Sequence, residues 1–352
     1  MRGTIVAAGA ALMLSLTHAA TAAVWGFGDS NLDNGWFTVA PYSGEIAYDT
    51  YLQQASLYGI GKQTNNPGPM SIEVLAASLG LTALPANKPN GTNFAVSGAK
   101  NVDANTPQNG GFPNAVPTVT QFGHFLATRK IGAGDIFLID SGANDVTYAL
   151  TLNPTDQPTY LQQKATALAR AIATLQKKGG AAHLIIVNQP ESFGSAAAQS
   201  ARHLYNTALR SNLDALGVIY AWGDRNRVRQ DIVDDTLNHA SAKFHMLYVD
   251  NSDPDVACPR SGFASDWAIV CSPDSPVSNP RPFAQQTLFA DSGHWASNGQ
   301  KALGSYFHCL VKANWPTLIP PSPFPPVISR IPSPPYACGA FSEFAPQPPL
   351  PL

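Results

Sequence analysis

From Val24 onward the chain alternates short unbroken apolar runs with stretches whose apolar residues return every three or four positions. Four runs read as strands: 24–27 (Val-Trp-Gly-Phe), 136–139 (Ile-Phe-Leu-Ile), 183–187 and 218–221. Between the second and third, Leu161, Ala165, Leu168, Ile172 and Leu175 recur at spacings of four, three, four and three, which is one apolar face of a helix. Gly179, just after Lys177-Lys178, is placed to stop it. A second helical stretch over 196–216 leads into the fourth run. Strand followed by helix, repeated, predicts right-handed crossovers and a buried parallel sheet with helices on both faces, an α/β fold.

In such folds the reactive groups sit at the carboxyl ends of strands. The first run ends at Gly28-Asp29-Ser30 and the second at Asp140-Ser141-Gly142-Ala143-Asn144-Asp145, so both polar clusters are expected at one edge of the sheet. The segments 42–69 and 101–117, rich in Asn, Gly, Pro and Thr, read as surface excursions near that edge. No internal repeat is present.

Composition adds a boundary at each end. Residues 5–16 are apolar, follow Arg2, and run into Ala20-Thr21-Ala22, the layout of a cleavable secretory signal over residues 1–22. The stretch is too short for a membrane anchor, which needs about 20 apolar residues. Of 30 prolines, 13 fall in residues 316–352, which marks a proline-rich tail distinct from a single body over 23–315. Charged residues make up 12% and the net charge is -2, with no basic run, so a nucleic-acid or anionic-membrane partner is not expected. In an exported chain the four cysteines predict two disulfides. Of three connectivities, the two local closures, Cys258 with Cys271 and Cys309 with Cys338, are favoured, the second tethering the tail. His18, His124, His183, His203, His239, His245 and His308 show no metal-ligand spacing with Cys or Glu, so neither a metal nor a cofactor is expected.

Four segments carry candidate chemistry: 27–35 around Gly28-Asp29-Ser30-Asn31, 91–99 ending in Ser97-Gly98-Ala99, 141–145 around Asn144, and 289–294 closing on Asp291-Ser292-Gly293-His294. A serine hydroxyl is a weak nucleophile and needs a base, a role suited to histidine because it titrates near neutrality. The histidine needs a carboxylate on its other nitrogen, and Asp291 can fold back to His294 within one turn of chain. A developing oxyanion needs donors already in place, which a glycine amide at Gly98 and the side-chain amide of Asn144 can supply. No Gly-x-Ser-x-Gly occurs, and Gly26-Phe27-Gly28 lacks the third glycine of a dinucleotide fingerprint, Asn31 standing in its place.

In this order the four blocks resemble those of the GDSL-type esterases and lipases of the SGNH hydrolase superfamily, over 24–308. The resemblance implies a flavodoxin-like three-layer α/β/α sandwich. It implies Ser30 as nucleophile and first oxyanion donor, Gly98 and Asn144 as the other donors, and Asp291 and His294 as the remaining catalytic pair. Two positions depart from the family pattern: Asn31, where leucine is usual, and Trp295, where proline commonly follows the histidine. Both flank the expected site and bear on substrate preference. The implied activity is hydrolysis of a small-molecule or lipid carboxylic ester by an exported enzyme. Deacetylation of a polysaccharide, acyl transfer to an alcohol, or an inactive sugar- or lipid-binding module remain open alternatives, as do acyl length and oligomeric state.

Overall fold

Four strands form one all-parallel sheet in the order β1 (Val24–Gly28), β2 (Ile136–Asp140), β3 (His183–Val187) and β4 (Ala221–Gly223). The computed structural model describes residues 22–192, 194–238, 243–252, 255–260, 267–319 and 334–344. The expected signal segment therefore lies outside the described residues, apart from Ala22. In register, Gly28 stands opposite Asp140, which brings the carboxyl ends of β1 and β2 level.

The fourth strand begins later than the run at 218–221 predicts. Ile219 is 74% exposed, and pairing starts only at Ala221, opposite Ile185. An apolar side chain facing solvent breaks the run that sequence alone reads as continuous.

Side chains alternate across the sheet, and the two core clusters follow that alternation. Val24, Ile136, Leu138, Ile185 and Val187 enter one cluster, packed by helices α3 (Ser71–Ser78), α8 (Arg225–Asn238) and α9 (Ser297–Asn314). Trp25, Phe27, Phe137, Ile139, Leu184 and Ile186 enter the other, under α4 (Thr118–Thr128), α5 (Ala143–Ala149), α6 (Gln157–Gly179) and α7 (Ala196–Ala215). The second face is strongly aromatic: Phe27 stacks on Phe94 at 5.4 Å and meets Phe125 edge-on at 5.4 Å. Each such buried ring stabilises the fold by roughly 1.5–3 kcal/mol relative to exposure. The result is the three-layer α/β/α sandwich.

The long helix α6 carries the read periodicity, with Leu161, Ala165, Leu168, Ile172 and Leu175 all buried. Its stop is one residue later than expected. Gly179 is the last helical residue, and Gly180 takes the left-handed conformation at φ 82°. Two short helices, α1 (Ile46–Leu52) and α2 (Ala55–Tyr58), sit in the first long excursion.

The exposed edge of β1 is covered by an irregular segment, 92–96. Gly26 N–H donates to Thr92 O (3.1 Å), Phe94 N–H to Gly26 O (2.7 Å) and Val96 N–H to Gly28 O (3.1 Å). This ladder runs parallel to β1 and delivers the chain directly to Ser97-Gly98.

The cysteines pair as Cys258–Cys271 and Cys309–Cys338, with Cα–Cα separations of 6.0 and 5.5 Å. The second bridge joins α9 to the described part of the tail. There Phe341 is fully buried in the first core cluster, and Tyr306 Oη donates to Glu343 (2.7 Å). No helix among the described residues is long and apolar enough to cross a membrane.

Candidate active site

β1 ends on Gly28, whose φ of 139° and close approach to the Asp140 carbonyl leave no room for a Cβ. Only glycine allows this turn, and it swings Ser30 out at the carboxyl end of the sheet. The Asp29 carboxylate, wholly buried, then braces the turn. It accepts from Asn31 N–H (3.1 Å), Asn31 Nδ2 (2.8 Å) and Ala143 N–H (3.2 Å), so the Ser30 turn is fastened to the start of α5.

Ser30 Oγ lies 2.9 Å from His294 Nε2, and His294 Nδ1 lies 2.9 and 3.0 Å from the two oxygens of Asp291. The connecting turn has a local cause. Asp291 Oδ1 accepts the backbone N–H groups of Gly293 and His294, each at 2.9 Å, which folds the loop over its own carboxylate. Oδ2 accepts Ala268 N–H at 3.1 Å, from the loop closed by Cys258–Cys271. Burial pushes the Asp291 carboxyl up, but the adjacent His294 and these amides outweigh it, holding the group below the usual carboxylate range. It is therefore anionic at neutral pH, beside an imidazole that can take a proton from Ser30.

The second and third blocks converge on the same point. Asp33 Oδ2 accepts both the N–H and Oγ of Ser97 at 2.7 Å, tying the Ser30 loop to the residue before Gly98. Gly98 is left-handed (φ 79°), and Asn105 Nδ2 donates to its carbonyl at 2.8 Å. Asn144 Nδ2 donates to Ala99 O (3.0 Å), which fixes its amide plane and leaves a second N–H on the same nitrogen. Among the described residues, neither Ser30 N–H nor Gly98 N–H donates to a protein acceptor. Asn144 lines one cleft with Ser30 and His294, and Gly98 lines another with Asn144 and His294.

A sequence model of the GDSL-like lipase/acylhydrolase family matches residues 24–307. The chain belongs to that family. No curated protein matches it.

Around Ser30, this GDSL-like acylhydrolase opens two clefts that share Asn144, Thr147, Gly293 and His294. The smaller, of about 140 Å³, adds Ser30, Asn31, Gln189, Arg202, Arg225 and Trp295 among its walls. The larger, of about 340 Å³, adds Gly98, Glu45, Tyr48 and Phe112. Among the described residues no cluster of His, Cys, Asp and Glu has the makings of a metal site.

Arg202 and Arg225 are the residues sequence reading missed. Arg225, which opens α8 directly after β4, is 2% exposed and pairs with Asp140 at the end of β2. Burial lowers its guanidinium to about 10, with Asp29 opposing that shift. Asp29, Asp140, Gln189 and Arg225 occupy the carboxyl ends of all four strands, and that position was the signal available for finding Arg225.

Next to Asn144, the Asp145 carboxyl is buried and pushed up from 3.8 to about 7, chiefly by desolvation, with the Asn101 amide opposing and Asp103 adding to the rise. Between these two values the folded state holds the proton more tightly than the unfolded chain, so stability should fall as pH rises through that window. Asp145→Asn is expected to flatten this part of the curve in denaturant unfolding. An unchanged slope would show that Asp145 does not carry it.

Proposed function

We propose that this chain is an exported serine esterase that cleaves carboxylic esters through an acyl-enzyme on Ser30. The observation that carries the reading is the continuous line from Asp291 through His294 to Ser30 Oγ, with steps of 2.9 Å.

His294 Nε2 takes the Ser30 proton as Oγ attacks the ester carbonyl carbon. The carbonyl oxygen becomes an oxyanion, received by Ser30 N–H, Gly98 N–H and Asn144 Nδ2–H. Asp291 keeps the proton of His294 on Nδ1 and stabilises the imidazolium. The tetrahedral centre collapses, the C–O bond to the alcohol breaks, and His294 returns its proton to the departing alkoxide. Water then repeats the sequence on the acyl-enzyme, releasing the acid and restoring Ser30. The apolar segment at 5–16 with its small-residue ending, together with the two disulfides, supports export.

A fluorophosphonate probe should label Ser30, read by peptide mass, and graded p-nitrophenyl esters should be hydrolysed. Folded protein that neither labels nor turns over esters would refute the assignment. Activity should also decline in acid as His294 becomes protonated, and a rate unchanged down to about pH 4 would count against it as base. Asn144→Ala is expected to lower kcat by roughly 10²–10³-fold with little change in KM, since its second N–H meets only the developing oxyanion. A loss confined to KM would place Asn144 in ground-state binding instead.

A further inference from the structure

We propose that the peptide bond between Ala22 and Ala23 is a processing site, and that the amino group released there completes the fold as an ion pair with Asp135. This rests on the export reading above and adds what removal of the signal segment does to the mature chain.

The small residues Ala20-Thr21-Ala22 place the cut immediately before Ala23, one residue ahead of β1. The Ala23 nitrogen lies 2.9 Å from Asp135 Oδ1, and the Ala23 carbonyl accepts Ile136 N–H at 2.9 Å. Together these contacts clamp the start of β1 to the start of β2. Asp135 is 3% exposed, and its other oxygen accepts Trp25 Nε1–H and Gly132 N–H, each at 2.8 Å. All three donors are neutral while Ala22 remains attached. Among the described residues no Lys, Arg or His forms an ion pair with this carboxylate, the His183 ring meeting the Asp135 backbone carbonyl instead. A buried carboxylate is costly unless a cation meets it. The position able to supply one is the Ala23 nitrogen.

Hydrolysis by a signal peptidase provides that charge. Water gives its hydroxyl to the Ala22 carbonyl carbon and a proton to the Ala23 nitrogen as the C–N bond breaks. The free α-amine is basic enough to take a further proton at neutral pH. A neutral N–H···O bond thereby becomes a charge-assisted one, roughly twice as strong, between atoms already in place. The new end also has room. Ala22 and Ala23 line an open cleft of about 540 Å³ whose walls include Arg129 and no Asp or Glu, so no second carboxylate there competes for the ammonium. The strand that leads to Ser30 is thus fully fastened only in the mature chain.

The test starts from the chain purified after export from a secreting host, its first residue read by amino-terminal sequencing. Ala23 is expected. This chain is compared with one extended by two residues ahead of Ala23, made by moving the cleavage site upstream, in which the Ala23 nitrogen stays an amide and the charge moves away. Extension should raise the unfolding equilibrium constant about tenfold in denaturant titrations. In Asp135→Asn that difference should vanish, because a steric cost of the added residues would persist where a lost ion pair would not. A second readout needs no Asp135 variant to fold: an N-hydroxysuccinimide ester should acylate the α-amino group of the mature chain about tenfold more slowly than that of the extended chain, followed by peptide mass. Equal unfolding of the two chains, a difference that survives Asp135→Asn, or equal acylation rates would overturn the ion pair. An exported chain with a first residue other than Ala23 would overturn the proposal and leave the export reading intact. A chain retained in the cell with residues 1–22 attached would instead overturn the export reading.

Discussion

Ser30→Ala is expected to remove ester hydrolysis, lowering kcat by roughly 10⁴-fold or more, and to abolish fluorophosphonate labelling. The variant should still fold. Among the described residues the Ser30 hydroxyl makes one hydrogen bond, to His294, whereas the turn itself is held by Asp29 through backbone and Asn31 contacts that alanine leaves in place. Thermal unfolding should therefore change little while turnover collapses. Near-parental turnover would move the nucleophile elsewhere in the cleft.

Asp291→Asn should cost about as much, on the order of 10⁴-fold in kcat, for a different reason. Four N–H donors point at this carboxylate: those of Gly293, His294 and Ala268 from the backbone and Nδ1 from the imidazole. An amide has one acceptor oxygen and one NH₂. The NH₂ meets backbone donors in either orientation, the N–H groups of Gly293 and His294 at the Oδ1 position or that of Ala268 at the Oδ2 position. Where it faces Nδ1 it favours the tautomer with the proton on Nε2, which donates to Ser30 and cannot take its proton. The substitution thus damages the loop in both orientations and the base wherever the NH₂ faces it. Stability should respond as well, because the Asp291 carboxyl is held below its ordinary value of 3.8. That contribution is present above 3.8 and disappears as pH falls through the folded value, so the variant should lose stability at neutral pH and differ least in strong acid. Retention of more than about a tenth of the parental rate would show that His294 is oriented by something else.

How far the sequence reaches depends on whether a feature is local. β1, β2 and β3 are legible because their runs are apolar on both faces, as strands buried between two helical layers must be. α6 is legible because one apolar stripe persists through its length. α3 and α9 are not legible, and the reason is their burial. In α9 the unbroken stretch from Ala302 to Val311 is buried, including Ser305 and His308, so no polar face remains to set a period. The Asp291-His294 pair is legible because three residues of spacing suffice to close the turn. Arg225 is not, because the partners that give it meaning, Asp140, Asp29 and Trp295, are distant in sequence. Only the sheet brings those residues together.

The segment at 92–96 has a consequence for solubility as well as for catalysis. An uncovered strand edge offers unpaired amides and carbonyls to any neighbouring chain and is a standard route to aggregation. Here the chain that shields β1 is the same chain that, two residues on, makes the left-handed turn at Gly98, the proposed oxyanion donor. Extending it into a regular strand would strengthen the shield but carry Gly98 past its left-handed turn, and loosening it would free Gly98 while exposing the edge. Resistance to self-association and placement of the proposed oxyanion donor are thus tied to one short stretch of backbone.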